Sequence, residues 1–271
     1  MANQYTKSEI NLEAVQKYTN KQGTLNSIAL EYSVSRKILT RWVKQSGNTV
    51  LPKKQLEYDE TFFQKIDSEE KAYWLGFIYA DGCISDSNRF ELSLALKDYS
   101  HLIKLGKLLN KEITKDNFRC RLSINNKTFG ESLKNYGVIP RKSLILKFPK
   151  TILPEFISSF IRGYFDGDGC IYYGKKDLTS SSQAVSLIGT EDMLTTILKY
   201  TKIVVKLSHD ARHHKDCYFI RIGKTKDIIK FLDYLYKDAE VYLDRKYEKY
   251  CRLRQKCFRL LEGKNGERCD S

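Results

Sequence analysis

The segment YWLGFIYADGCI, beginning at Tyr73, is written a second time as FIRGYFDGDGCI, beginning at Phe160. Aligned, Gly76 meets Gly163, Ala80 meets Gly167, Asp81 meets Asp168, and Gly82-Cys83-Ile84 meet Gly169-Cys170-Ile171, at a constant offset of 87 residues. A helix-to-strand unit repeated at one offset implies two related halves about a pseudo-twofold axis.

Within each copy the small residues stand four apart: Gly76 and Ala80, then Gly163 and Gly167. Residues four apart share a helix face, so each helix carries a strip that lets a second backbone come very close. Phe77 and Ile78, like Tyr164 and Phe165, flank that strip and are expected to fill each half's own core. Each helix is predicted to stop at Gly82 or Gly169, with the glycine in the left-handed conformation that ends many helices. Asp81 and Asp168 then take the last helical position, at the negative end of the helix dipole, where cations are preferred.

Pairing the two helices brings both carboxylates side by side. Like charges that close repel unless a divalent cation binds between them or one takes a proton. Carboxylate, water and phosphate oxygens are what Mg²⁺ prefers, and the pattern predicts a metal-assisted phosphodiester site on the symmetry axis. The plainer alternative is two aspartates that only cap or pair locally.

These paired motifs resemble those of the LAGLIDADG homing endonucleases, and the second copy is close to the wording of monomeric double-motif members. The resemblance runs roughly from Glu69 to Leu260. It implies an α+β fold of two pseudo-symmetric αββαββα halves, at 61–155 and 156–271, forming a DNA-binding saddle. It also implies a monomer that makes a double-strand break with short 3′ overhangs in a long, asymmetric duplex. By the same resemblance Mg²⁺, or Mn²⁺ in its place, is held by Asp81, Asp168 and the backbone near Ala80 and Gly167. Tyr79 replaces the first aspartate of the motif name, whereas Asp166 keeps it. The family's metal-binding acid is the second, and both copies retain it.

The remainder of each half fits this pattern. Arg89 to Lys97 alternates, with Phe90, Leu92, Leu94 and Leu96 on one face, as a half-buried strand does. An amphipathic helix is expected over Asp98 to Leu109. Phe118, Cys120, Leu122 and Ile124 then alternate with Arg119 and Arg121. The second half repeats the order with a strand at Val185 to Thr190, a helix at Glu191 to Tyr200, and strands at Ile203 to Leu207 and Tyr218 to Gly223. Arg89, Arg119, Arg121, Lys202, Lys206 and Arg221 are the candidate outward, DNA-facing residues, since Lys and Arg bind phosphates and polar strand residues read base edges. The hairpin tip at Ser85 to Arg89 is compact and that at Tyr173 to Gln183 is longer, which suits a non-palindromic target.

Arg141-Lys142 and Arg245-Lys246 recur after the final helix of each half. The resemblance implies that Lys142 and Lys246 are auxiliary catalytic residues that stabilise the phosphate or organise the attacking water. Positioning of phosphate alone is the other option.

Upstream, residues 1–47 are expected to form three short helices, with Thr24 and Ser35 as N-caps of the second and third. Ile10, Leu12, Val15 and Tyr18 mark the inner side of the first. Leu25 to Lys44 resembles the helix-turn-helix of transposase-type and homeodomain-like DNA binders. Ala29 sits at the crossing, Val34 plugs the turn, and Ile38, Leu39 and Trp42 point inward. Ser35, Arg36, Lys37, Thr40, Arg41 and Lys44 are left on the outer face of a recognition helix. A three-helix bundle with a solvated basic face is the alternative. Residues 48–60 are expected to be a linker.

Charge supports a polyanionic partner, with 47 basic against 33 acidic residues and a net charge of +14. The seven cysteines contain no CxxC pair and are expected to be free, mostly buried thiols. His209, His213, His214 and Cys217 lack a second ligand pair, so a basic loop is expected there rather than zinc. The longest apolar run, Tyr73 to Ala80, falls far short of the roughly 20 residues of a membrane span. The polar amino terminus carries no signal-peptide stretch, and an intracellular, soluble protein is expected. Two rival functions stay open: a catalytically inactive DNA-binding regulator, and an RNA maturase acting on a host intron RNA.

Overall fold

The structure is a computed structural model that describes residues 7–20, 22, 25–48, 50, 58–172, 183–209 and 216–266. Thr24, nearly all of the longer hairpin tip, His213, His214 and part of the expected linker lie outside the described residues. The chain forms two compact units, Met1–Leu56 and Glu57–Ser271, each with its own apolar core.

The first unit holds α1 (Lys7–Thr19), α2 (Leu25–Glu31) and α3 (Arg36–Gln45). Ser35 is extended, and its hydroxyl accepts the Ile38 N–H at 3.3 Å, capping α3. Ala14, Val15, Tyr18, Ile28, Ala29, Leu39 and Val43 make the core, with Val34 and Trp42 packed against it. Two expected core residues point elsewhere: Leu12 is 60% exposed and Ile38 39%. A helix turns about 100° per residue. Once Ala14 and Tyr18 face inward, Leu12 falls on the opposite side, and with Leu39 and Val43 inward, Ile38 sits at the edge.

In the second unit the first half runs α4 (Glu69–Asp81), β1 (Gly82–Ile84), β2 (Arg89–Ala95), α5 (Tyr99–Leu108), β3 (Thr114–Lys115), β4 (Arg119–Asn125) and α6 (Lys127–Asn135). The second half repeats it as α7 (Ile157–Asp168), β5 (Gly169–Tyr172), β6 (Ala184–Gly189), α8 (Glu191–Thr201), β7 (Ser208–His209), β8 (Tyr218–Ile222) and α9 (Thr225–Tyr236). A further helix, α10 (Asp244–Gly266), follows. Each half is αββαββα, and each has a four-stranded antiparallel sheet, ordered β1-β2-β4-β3 and β5-β6-β8-β7. Register agrees with the repeat: Leu92 faces Leu122 in one sheet and Leu187 faces Ile220 in the other. Side chains alternate across a strand, so these residues enter the core while Arg89, Arg119, Arg121 and Arg221 turn outward.

Several local expectations give way. Gly82 (φ −75°, ψ 149°) and Gly169 (φ −85°, ψ 160°) are extended rather than left-handed, because each helix passes straight into a strand. Glycine is needed there for room: a Cβ at Gly82 would press on the Ile78 carbonyl, and one at Gly169 on the Phe165 ring. Leu96 is partly exposed because β2 ends at Ala95 and residues 96–98 form a 3-10 turn. Phe118 is 81% exposed because Asp116 accepts the N–H groups of Phe118 and Arg119 (2.8 and 2.9 Å), making a turn before β4 begins. Residues 203–207 form no strand, and the short β7, Ser208–His209, pairs with β8 in their place. Cys83 and Cys170 lie on outward strand positions and are exposed, as is Cys251, while Cys120 is buried. Among the described residues no helix is long and apolar enough to cross a membrane.

Candidate active site

The centre of the second unit is the crossing of α4 and α7. Ser68 caps α4 by accepting the Lys71 N–H at 3.2 Å, and Glu69 and Glu70 occupy the first turn, where the helix dipole favours acids. Where the helices cross, a Cβ at Gly76 would overlap the Phe160 carbonyl oxygen and one at Gly163 the Tyr73 carbonyl oxygen. Gly167 lies against Ala80 in the same way. The backbones therefore touch along the strip of small residues, and the two helix ends emerge together.

Asp81 and Asp168 end α4 and α7. A Cβ built on Gly167 would lie 3.3 Å from Asp81 Oδ2, so the first-half acid reaches across to the last turn of α7. Asp168 is half-buried, and its carboxyl is pushed up to about 6, first by desolvation and then by the negative charge of Asp81. Lys142 and Lys246 oppose that shift. Asp81 is more open to solvent but is crowded by neighbouring atoms, and desolvation raises it too, against the attraction of Lys246 and Lys142.

Both lysines reach this centre. Lys142 is 5% exposed, and its Nζ donates to the Ala80 carbonyl at 3.2 Å. Burial lowers its pKa, while Asp168 and Asp81 pull it back up. Lys246 is 3% exposed, and its Nζ donates to the carbonyls of Phe165 (2.6 Å), Asp166 (2.8 Å) and Gly169. Its ammonium is pulled down to about 8, chiefly by burial.

Two carboxylates on an accessible rim, with backbone carbonyls beside them, suit a hard cation completed by water and a phosphate oxygen. They do not suit a closed protein cage: among the described residues no three His, Cys, Asp or Glu side chains converge as metal ligands.

The outward strand residues are less uniform than the sequence pattern implies. Arg89 and Arg119 are exposed, and Arg121 is half-buried. Glu91 lies on the same face and pairs with Arg89 (3.4 Å) and Arg121 (3.1 Å), a neutralising contact that the alternation of RFELSLALK would have revealed. Arg221 is exposed on β8. Lys202 is not a strand residue: it ends α8 in a left-handed conformation (φ 52°), and its carbonyl accepts Lys230 Nζ at 2.6 Å. Lys206 is exposed, but in the segment before β7. In the first unit Arg36, Lys37, Arg41 and Lys44 are exposed, Thr40 is half-buried, and Ser35 caps its helix.

Two further groups near the centre were given no role from the sequence. Arg162, 3% exposed, donates to the carbonyls of Leu235 (2.9 Å) and Val241 (2.8 Å). Asp166 is fully buried among three donors. Burial pushes its carboxyl up, while Lys246, Tyr236, Leu243 and Tyr73 favour the ionised form.

Residues 155–236 match the family model of the LAGLIDADG-like domain. The structure is similar to the LAGLIDADG meganuclease I-AabMI bound to uncleaved DNA, with a TM-score of 0.50 and 16% identity over 71% of this chain and 92% of that one. It is likewise similar to the LAGLIDADG homing endonuclease I-GzeII in complex with its DNA target, with a TM-score of 0.50 and 12% identity over 72% and 91% of the two chains. No curated protein matches the sequence. Residues 155–236 are similar to the LAGLIDADG-like domain, and the two-halved unit Glu57–Ser271 has the fold of the LAGLIDADG meganucleases.

Proposed function

We propose that this chain is a site-specific, homing-type DNA endonuclease that makes a Mg²⁺-dependent double-strand break in a long asymmetric duplex. One observation carries the proposal: the acids ending the two repeated helices come together at the crossing, where the charge of Asp81 and burial raise the cost of ionising Asp168. A carboxylate pair of that kind is costly unless something positive joins it.

In this proposal Asp81 and Asp168 hold the ions, with the Ala80 and Gly167 backbone beside them. A bound divalent cation there polarises the phosphate and eases deprotonation of water. Lys142 and Lys246 keep positive charge within reach of the scissile phosphates and offset the charge that develops there. Arg89, Arg119, Arg121 and Arg221 on the outward sheet faces, with Lys202 and Lys206 beside the second sheet, contact the duplex. The related but unlike halves of one chain read unlike half-sites. Ser35, Arg36, Lys37, Thr40, Arg41 and Lys44 of the first unit add flanking contacts and lengthen the target.

The experiment is cleavage of a random-sequence duplex library in Mg²⁺, followed by sequencing of the cut ends. A single long, non-palindromic consensus with staggered ends is the expected result. Recovery of bound but uncut duplex alone would replace the nuclease with a DNA-binding regulator.

A further inference from the structure

Positions 79 and 166 are equivalent in the repeat but carry different residues, Tyr79 and Asp166. Asp166 Oδ1 accepts the Tyr236 hydroxyl at the end of α9. Its Oδ2 accepts the Tyr73 hydroxyl from α4 and the Leu243 N–H just ahead of α10, both at 2.8 Å. A buried carboxylate is tolerated only when its oxygens are hydrogen-bonded, and here the donors come from both halves.

Leu243 immediately precedes α10. Its carbonyl accepts the N–H of Lys246 (2.9 Å) and of Tyr247 (3.1 Å). Lys246 stands on that first turn, and its Nζ returns to α7 to take up the carbonyls of Phe165, Asp166 and Gly169. The two helix ends cap each other. An acid from α7 satisfies an amide at the start of α10, and a base from α10 satisfies the last carbonyls of α7. Each charge has the sign its helix end favours.

The first half has a lighter version. The Tyr79 hydroxyl donates to the Tyr136 carbonyl. Lys142 follows a left-handed Arg141 (φ 57°) on a three-residue 3-10 turn, and among the described residues its Nζ donates to one carbonyl, that of Ala80.

We infer that Asp166 is a positioning residue: it fixes the start of α10 and thereby the place of the Lys246 ammonium beside the end of α7. Lys246 is held rigidly and Lys142 loosely. The consequence for hydrolysis rests on the nuclease proposal above; the placement does not.

Reductive methylation, read lysine by lysine by peptide mass spectrometry, tests the placement without DNA or metal. In the wild-type chain Lys246 should react at least about tenfold more slowly than exposed Lys199, since it must open locally to be reached. Asp166→Asn should speed labelling of Lys246 about fivefold or more and leave Lys142 within about twofold. Tyr79→Phe, which removes a hydrogen bond to Tyr136 and none at α10, should leave Lys246 within about twofold. An unchanged Lys246 rate in a cooperatively melting Asp166→Asn chain would overturn the inference, and so would equal acceleration at both lysines. If Asp166→Asn does not fold, Tyr73→Phe removes one donor and should speed Lys246 alone by about twofold; no change there would also overturn it. On a cleavable duplex, Asp166→Asn should slow one strand about tenfold at unchanged KM. A wild-type chain that cuts nothing would sink the nuclease proposal and leave the labelling result standing.

Discussion

Arg245, at the start of α10, forms a two-point ion pair with Asp98 of the first half, with Nε–Oδ1 at 2.8 Å and Nη2–Oδ2 at 3.2 Å. The carboxylate side is largely buried, at 10% exposure, and the guanidinium is 41% exposed. The pair therefore ties the second half's last helix to the first half at a point of intermediate solvation. Arg245→Met should cost about 1–3 kcal/mol, between the values for surface and buried pairs. Urea unfolding checks this, and a double-mutant cycle with Asp98→Asn should show that most of the loss is shared between the two sites.

The helix crossing makes a sharper stability prediction. Gly163→Ala places a methyl on the Tyr73 carbonyl oxygen, and backbone cannot step aside as a flexible side chain can. A loss of about 3 kcal/mol or more is expected, accompanied by separation of the two acids. Gly223→Ala is the control: a Cβ there meets nothing within 4 Å among the described residues. Its effect should stay within about 0.5 kcal/mol. Equal melting temperatures for the two variants would refute the close crossing.

The acid pair predicts an unusual pH dependence in metal-free protein. Asp168 titrates at about 6 in the folded chain against an ordinary 3.8, so the native state binds more protons than the unfolded chain between those values. Stability should fall as pH rises through that window, by on the order of 1–2 kcal/mol after allowing for partial solvent screening. Asp168→Asn should reduce the fall, being stabilising near neutral pH and close to neutral below about pH 4, while buried Asp81 and Asp166, also raised, keep the remainder. Urea midpoints in EDTA at about pH 4 and about pH 7 give the comparison. A wild-type chain that is steadier at the higher pH, with no gain from Asp168→Asn, would contradict the raised carboxyl.

Glu91 predicts a change in DNA affinity. It holds Arg89 and Arg121 on the outward face of the first sheet. Glu91→Gln should release both and tighten binding to random-sequence duplex a few-fold at low salt, steepening the salt dependence by about one released counterion. Filter binding across a salt series measures both. Weaker binding by Glu91→Gln would mean that the carboxylate orders the arginines rather than masking them.

Much of the fold was legible because the repeat is written in residues with few structural alternatives. Two strips of small residues at the same spacing leave little but a tight helix pair, and the acids after them locate its end. The outcome at Gly82 and Gly169 was misjudged because glycine suits both a left-handed stop and a crowded extended exit. Phe118 and Leu96 were misplaced because alternation does not register the turn that Asp116 makes, nor the 3-10 turn that ends β2. The burial of Asp166 was not legible at all, since its partners Tyr236 and Leu243 lie 70 and 77 residues away.

Strand-resolved cleavage of the duplex recovered from the library, in Mg²⁺, measures the central claim most directly when wild type is compared with Asp81→Asn and Asp168→Asn. The carboxylate pair predicts that either substitution abolishes double-strand breaks, lowering the rate about a thousandfold or more, while the duplex is still bound. Wild-type breakage by both variants would contradict it.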